Sequence, residues 1–599
     1  MADIRTLELK DFTGGLNTVD EEPDVLDNQA VTFQNVIPIE NGGLKPRYGY
    51  TKYFSTSLSS ALSTSARING LFVYNQSTTS TFLIHLGTKL YKDNSGTSTT
   101  LLFSGLASSK TRGIEMNGYI YMLDGSGYIE YNGATASTVS GYIPTYYADK
   151  NPDGTGGGQI DELNYIQSAF KETFSGNATS TTFYMSFGSL TTGDNIVIVD
   201  NVTLTSGAAT AGFSANYASG YFTLTTAATS GVGNVEITAA KPVLSATCIT
   251  NCAICHTHGE GNDTNVYLSK NPSFPARVWW SDTVRGPVYY PATSYADVGV
   301  TNDKMMGMLS DGNTLLLMKY RSIHGMVGTP PNQSIFEIYK SEGLIASDSA
   351  QLVEGLPTFY SQKGIVQLLP RDNYYELVLI SRDVNDQIGV VGDVFPQTTY
   401  TEAQTDIISS CVWNSKYHLV LSSTFFIYDP SLKQINGKKI IYPWMYWNSF
   451  TGARTLIYKD GYLYFDKFYG SNVSNIFKLS PGAYDDDGTA ISTDYKSKIF
   501  TPDSQYIKNF NYLWIDFAAY QGYYFPIINI YFTINDVTVS KSYDLTDYNY
   551  SKDSYGLRVP IKLNGKSIQY RITASISTSN VGYSISNVKL DYIKNRMCT

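Results

Sequence analysis

One short grammar recurs along this chain and limits what it can fold into. An alternating apolar or aromatic strand meets a Gly- or Asn-rich turn and then a second strand. Residues 117–133, NGYIYMLDGSGYIEYNG, show it plainly. Tyr119, Tyr121 and Leu123 alternate, residues 124–127 turn the chain, and Tyr128 to Tyr131 return. Asp and Gly in the turn supply the positive φ angles that a tight hairpin needs. Related copies begin at residues 68, 311, 356, 374, 411 and 459. Strand repeats of roughly 40–50 residues predict the blades of a β-propeller, for which about six to eight blades are usual.

The composition agrees with an all-β chain. Its 599 residues include 49 Tyr, 27 Phe and 50 Gly, and only 16% are charged. Soluble domains usually carry about 25% charge, and long helices in water use more Glu, Lys and Ala. A chain of this length exceeds one core, so several domains are expected.

Two regions break the hairpin grammar. Residues 163–242 are rich in Thr, Val and Gly and read as a small β-sandwich inserted between blades. The Gly-rich stretch 148–162 before it reads as a flexible exit from the repeats. Residues 490–599 hold longer alternating runs, such as IINIYFTIND at 527–536, and predict a C-terminal β-sandwich. The expected organisation is therefore 1–148 as an N-terminal segment with the first blades, 163–242 as the insert, 243–485 as the remaining blades, and 490–599 as the sandwich.

The densest chemistry is CITNCAICHTHGEGN, residues 248–262. Cys252, Cys255 and His256 fit the C-x-x-C-H pattern of attached haem, but that chemistry requires export, and the N-terminal residues show no apolar leader. Cys248, Cys252, Cys255, His256 and His258 also offer soft zinc ligands. Structural zinc sites normally pair two knuckles a dozen or more residues apart, and no second knuckle follows before Cys411. The preferred reading is a strand that turns at Gly259 and returns at residues 265–271, with no cofactor and no metal. Five cysteines, at 248, 252, 255, 411 and 598, do not suggest a disulfide framework.

Other chemistry is sparse. Asp194 and the run Asp485 to Asp487 lie in Gly-rich turns and read as solvated loops rather than a glycosidase pair. His85, His256, His258, His324 and His418 are scattered, and no nucleophile elbow, zincin motif or P-loop is present. Trp279, Trp280, Trp413, Trp444, Trp447 and Trp514 are expected to pack the fold rather than line a sugar-binding face. The net charge is −9. This argues against a general grip on nucleic acid, and the short basic clusters, Lys438-Lys439 and Lys45 with Arg47, read as solvated surface residues or ion pairs between subunits. No run of about 18 apolar residues predicts a membrane span.

Three segments resemble the tail proteins of short-tailed bacteriophages. The first is DFTGGLNTVDEEPDVLDNQAVTFQNVIPIENGGLKPRYGY, residues 11–50, matching at Gly14, Gly15, Leu16, Asn17, Asn28, Gln29, Asn35, Gly43, Leu44, Arg47, Gly49 and Tyr50. The second, residues 271–299, matches at Pro275, Arg277, Val278, Trp280, Ser281, Asp282, Asp297, Val298 and Gly299, followed by Arg321, Ser322 and Ile323. The third is MYWNSFTGARTLIYKDGYLYF, residues 445–465. The resemblance implies a non-enzymatic tail nozzle, also called a tail tubular or stabilisation protein. Such a protein is a structural part of the virion tail, made in the host cytoplasm. The resemblance further implies a homo-oligomeric ring, usually a hexamer, below the portal and adaptor and in contact with other tail proteins such as fibres. Packaged double-stranded DNA would pass through the ring, which would retain it and guide its ejection. The alternatives are a propeller that binds or cleaves polysaccharide and a receptor-binding tail protein.

Overall fold

The structure is a computed structural model. It describes residues 4–597 apart from 40, 55–66, 77–78, 194, 373, 390–405, 407, 422, 438, 470–472, 519–524, 546–554 and 578–581. The chain is all-β: a β-propeller with an inserted small β-domain and a C-terminal β-sandwich. It divides into two compact units, Met1–Leu101 with Tyr339–Thr599, and Leu102–Ile338. Among the described residues no helix is long and apolar enough to cross a membrane.

Seven four-stranded antiparallel blades follow one another among the described residues. In chain order they span residues 68–104, 112–138, 254–297, 305–340, 351–379, 409–447 and 456–479. In the second unit the opening strands Arg112–Met116, Ile254–His258 and Met305–Asp311 lie side by side. In the first unit Gln351–Val353, Ser409–Trp413, Leu456–Lys459 and Ile68–Gln76 do the same. The turn chemistry seen in the sequence is present. Asn117 and Gly118 both hold positive φ and pair Met116 with Tyr119 across a two-residue hairpin.

The seventh blade takes its fourth strand from Tyr50–Lys52, with Leu479 opposite Tyr50 and Phe477 opposite Lys52. The sequence reading had placed these residues ahead of the first blades. The N-terminus departs further from the 1–148 grouping, because Ile4–Leu9 pairs along Ser584–Met597 and Leu44 pairs with Ile585. Both strands extend one sheet of the C-terminal sandwich, whose other sheet runs Thr489–Ser497, Gln569–Ile576, Ile527–Ile534 and Val537–Asp544. Ile527–Ile534 alternates strictly between partly exposed or exposed and buried, as its period-two pattern requires. Ile528, Ile530, Phe532 and Ile534 are buried, as are Leu513, Ile515 and Val559 of the other sheet.

The inserted module begins before residue 163. Thr145–Lys150 runs parallel to Ala169–Gly176 and forms a hairpin with Gly156–Gln159. The stretch read as a flexible exit is therefore the edge of the module. Its glycines make the return possible: Gly156 and Gly157 sit at φ +69° and +75°, and a Cβ on Gly157 would lie 2.5 Å from the Ala148 carbonyl oxygen. Two sheets close over Phe170, Phe174, Phe183, Phe213, Phe222 and Val235. Inside the module Lys150 and Glu172 form an ion pair at 2.9 Å with side chains 3% and 0% exposed. Lys150 also donates to the Tyr184 carbonyl and Ser186 Oγ, and the Ser186 amide donates to Glu172.

Candidate functional site

Several residues of the first resembling segment, 11–50, build buried polar contacts in the first unit. Gly14 and Gly15 let the chain run against backbone: a Cβ on Gly15 would stand 2.6 Å from the Trp444 carbonyl oxygen, and φ there is +73°. Asn17 is fully buried; its Nδ2 donates to Gln29 Oε1 at 3.0 Å, and its Oδ1 accepts from the Val19 and Asp20 amides. Gln29 Nε2 donates to Asp383 at 2.8 Å. Asn35, at φ 55°, accepts from Arg47 Nε and the Asn448 amide while donating to Asn448 Oδ1 and the Ser492 carbonyl.

Arg47 is the centre of this joint. Its guanidinium makes a two-pronged contact with Asp486, at 2.8 and 2.5 Å, with both side chains essentially unexposed. It also donates to the Tyr48 and Asn448 carbonyls and lies over the Phe450 ring. Such a fork suits arginine and would not be reproduced by lysine. Burial pushes the Asp486 carboxyl above its ordinary value, against the opposing pull of Arg47. Tyr50 completes the set: its hydroxyl donates to the Ser449 carbonyl and accepts from Lys467. The middle member of the aspartate run is thus a core ion-pair residue, not a solvated one. Asp487 pairs with Lys52 at 2.7 Å, and Asp485 accepts from the Gly488 amide.

Gly49 is the tightest point. A Cβ there would stand 1.9 Å from the Asp485 carbonyl oxygen. Replacement of Gly49 by alanine is expected to cost about 1–3 kcal/mol or more, because backbone rather than a movable side chain must yield. Urea unfolding of the variant measures it; an unchanged midpoint would contradict this reading of the joint.

The second resembling segment is also structural. Arg277 makes two 2.8 Å bonds to Asp297 and lies 4.0 Å from the centroid of Tyr295. Asp282 accepts from the Val284 and Arg285 amides, capping a turn. Ser281 accepts from the Val266 amide, and Gly299 holds φ +54°.

The cysteine- and histidine-rich stretch does not form one strand. Thr247–Thr250 is a single helical turn, held by Asn271 Nδ2 donating to the Thr247 and Cys248 carbonyls at 2.8 and 3.0 Å. Only Ile254–His258 is extended, opposite Asn265–Ser269. Within that strand the period of two puts Cys255 on the face opposite His256 and His258. Cys248, Cys252 and Cys255 pack with Tyr121, Tyr128 and Tyr290. His256 Nε2 and His258 Nδ1 each lie 2.9 Å from Ser310 Oγ on the next blade. Among the described residues no three His, Cys, Asp or Glu are placed to hold a metal ion, and Cys248, Cys252, Cys255 and Cys411 form no disulfide. Ser310, which ties the two histidines, carried no signal in the sequence because it lies more than fifty residues away on another blade.

Burial holds His256 and His418 down to about 4. Both folded values lie below the unfolded value near 6.5, so both rings are neutral in the fold at neutral pH. The stability from these neutral rings is complete above about pH 6.5. It is lost as pH falls through about 4, because the unfolded chain takes up protons first. His418 sits edge-on between Trp413 and Trp447 and hydrogen-bonds the Lys416 carbonyl. His418→Phe is expected to lose less stability than wild type between pH 7.5 and 4.5, by up to about 3 kcal/mol. Parallel acid slopes in the two proteins would count against it.

The remaining sequence candidates are dispersed. Trp279, Trp280, Trp413, Trp444 and Trp447 are at most 5% exposed, and Trp514 Nε1 donates to Asp591. The indoles of Trp413 and Trp444 donate to the Gly461 and Ile380 carbonyls. These five fill the interior rather than offering a flat face. Lys439 pairs with Asp20 at 3.0 Å, and Lys45 lies over the Tyr48 ring. His85 is buried, and His324 meets Ser322 Oγ at 3.2 Å. Asp194, Lys438 and Cys598 lie outside the described residues.

No family model matches the chain, and no curated protein matches it. Solved structures similar to it include the AfRom2 CNH domain, with 8% identity, TM-score 0.36, and coverage of 72% of this chain and 99% of that one. BamB from Moraxella catarrhalis has 10% identity, TM-score 0.31, and coverage of 80% and 99%. The exo-beta-1,3-galactanase from Phanerochaete chrysosporium, solved with galactose, has 8% identity, TM-score 0.20, and coverage of 87% and 100%. At these identities the likeness concerns the fold alone.

Proposed function

We propose that this chain is a structural protein of a bacteriophage virion, a subunit of an oligomeric tail nozzle that continues the DNA channel below the portal and adaptor. One observation supports the reading above others. Asn35, Arg47 and Tyr50, three of the residues that carry the resemblance, form a buried joint with Asp486, Asn448 and Ser449 rather than scattering over loops. A resemblance that falls on the residues fixing the architecture is the kind a shared structural role would leave. The net charge of −9 suits a wall that DNA passes without being held, since each neutralised phosphate would add salt-dependent affinity.

In this role the mechanism is mechanical: interlocked β-surfaces hold a channel, and the work lies in assembly and retention rather than bond chemistry. Electron microscopy of the purified chain and of virions tests it. Ring-shaped particles, and the chain's presence at the virion tail, are expected. A monomer at all concentrations together with its absence from purified virions would refute the reading.

A further inference from the structure

The propeller fold leaves the two histidines of residues 248–262 without an explained role. His256 and His258 both lie on Ile254–His258, and the period of two sets their rings on one face of that strand. Their nitrogens converge. His256 Nε2 and His258 Nδ1 each lie 2.9 Å from a single atom, Ser310 Oγ, on the opening strand of the next blade, Met305–Asp311. The two opening strands run side by side within the second unit, so the three side chains are brought together by the blade packing itself.

The proton count shows how the three groups are held. A serine hydroxyl has one proton, so it donates to one ring and must receive from the other. The His258 ring also bonds the Asn313 backbone, and with Nδ1 turned to Ser310 that bond falls to Nε2. Nδ1 of His258 is then the acceptor of the serine proton, and His256 Nε2 supplies the second one. One ring would be enough to tie the blades. Two imidazole nitrogens aimed at one point, one of them anchored through its other nitrogen, is the way ligating histidines are fixed around a metal.

The point of convergence is open to solvent. His256, His258 and Ser310 are all partly exposed, and His258 also lines a cavity of about 280 Å3 with Gly312 and Asn313. The donor set selects the ion. Imidazole suits zinc, copper and nickel, whereas calcium and magnesium ask for oxygen throughout. Sulfur takes no part, since Cys248, Cys252 and Cys255 pack into the cluster with Tyr121, Tyr128 and Tyr290. We infer that His256 Nε2, His258 Nδ1 and Ser310 Oγ bind a divalent transition-metal ion such as zinc. The hydroxyl supplies a neutral third donor, water takes the fourth tetrahedral position, and His256 carries its proton on Nδ1. The ion then links the third and fourth blades in place of the serine tie.

The untagged full chain is titrated at neutral pH with Co2+, a coloured substitute for zinc, up to ~1 mM, and then with Zn2+ in competition. One saturable site is expected. Its spectrum should lack the sulfur-to-cobalt charge-transfer band and should vanish when Zn2+ is added. Zn2+ should also raise the melting temperature of wild type. H258N and S310A alter partly exposed side chains, and Co2+ affinity should fall in both, by about tenfold or more in H258N. No saturation in wild type overturns the proposal, and so does a sulfur charge-transfer band, which would assign the ion to the cysteines. Unchanged affinity in either variant overturns it too. The wild-type titration and spectrum decide the matter even where a variant fails to fold.

Discussion

Replacing Arg47 by methionine is expected to destabilise the first unit by about 3–5 kcal/mol, because it leaves the Asp486 carboxylate buried without its partner. Asn35 Oδ1 loses one of its two donors and the Asn448 carbonyl loses the Arg47 donor in the same step. The pH dependence carries a sign that a simple packing defect would not. The Asp486 carboxyl already sits above its ordinary value in the intact pair, and removing Arg47 takes away the hydrogen bonds and positive charge that hold it down. A carboxyl raised in the fold contributes stability when protonated, at low pH, and that contribution is lost as pH rises through the folded value. The deficit of the variant should therefore be smaller near pH 4 than near pH 7. Replacing both partners with apolar residues, R47M/D486L, should recover much of the loss, because the desolvation of two charges is then avoided. Urea unfolding of the four proteins of this cycle at both pH values measures it. Additive losses in the double variant would show that the pair is not coupled as its geometry requires.

The second large effect lies in the inserted module. Replacing Glu172 by alanine strands the Lys150 ammonium at 3% exposure, between Tyr184 and Ser186 and against the Phe174 ring. A cost of about 3–5 kcal/mol is expected. The module has its own two sheets and its own apolar core, so the loss should stay local. Hydrogen exchange should quicken across 145–240 and stay nearly unchanged in Ile527–Ile534 of the sandwich. A uniform rise along the whole chain would mean that the module does not fold as a separate cooperative unit.

Much of the fold could be read from local patterns. Hairpins such as the one closed by Asn117 and Gly118 depend on side-chain alternation and on residues that accept positive φ, and both are visible within about ten residues. The same holds for the sandwich strand Ile527–Ile534. The joint was legible only as a list. Asn35, Arg47 and Tyr50 stood out by resemblance, yet Arg47 meets Asp486 across more than four hundred residues, and no local periodicity encodes that distance. The aspartate run was misread for the same reason: three adjacent carboxylates look solvated unless the buried cation opposite the middle one is known. The helical turn at Thr247–Thr250 was missed because Asn271, whose amide satisfies its carbonyls, lies beyond the hairpin.

What the sequence by itself determined is the all-β class, the repeating blades, the presence of an insert and the C-terminal sandwich. These follow from backbone geometry and burial, which act on neighbouring residues. Only the tertiary structure decided that the N-terminal strands close the seventh blade and edge the sandwich, and that Arg47 and Asp486 share one buried site. It also decided that the crowded cysteines pack into an apolar cluster while the histidines reach Ser310. In each case the physical reason is the same. A strand edge or a buried charge must find a partner, but its own sequence does not say how far along the chain that partner lies.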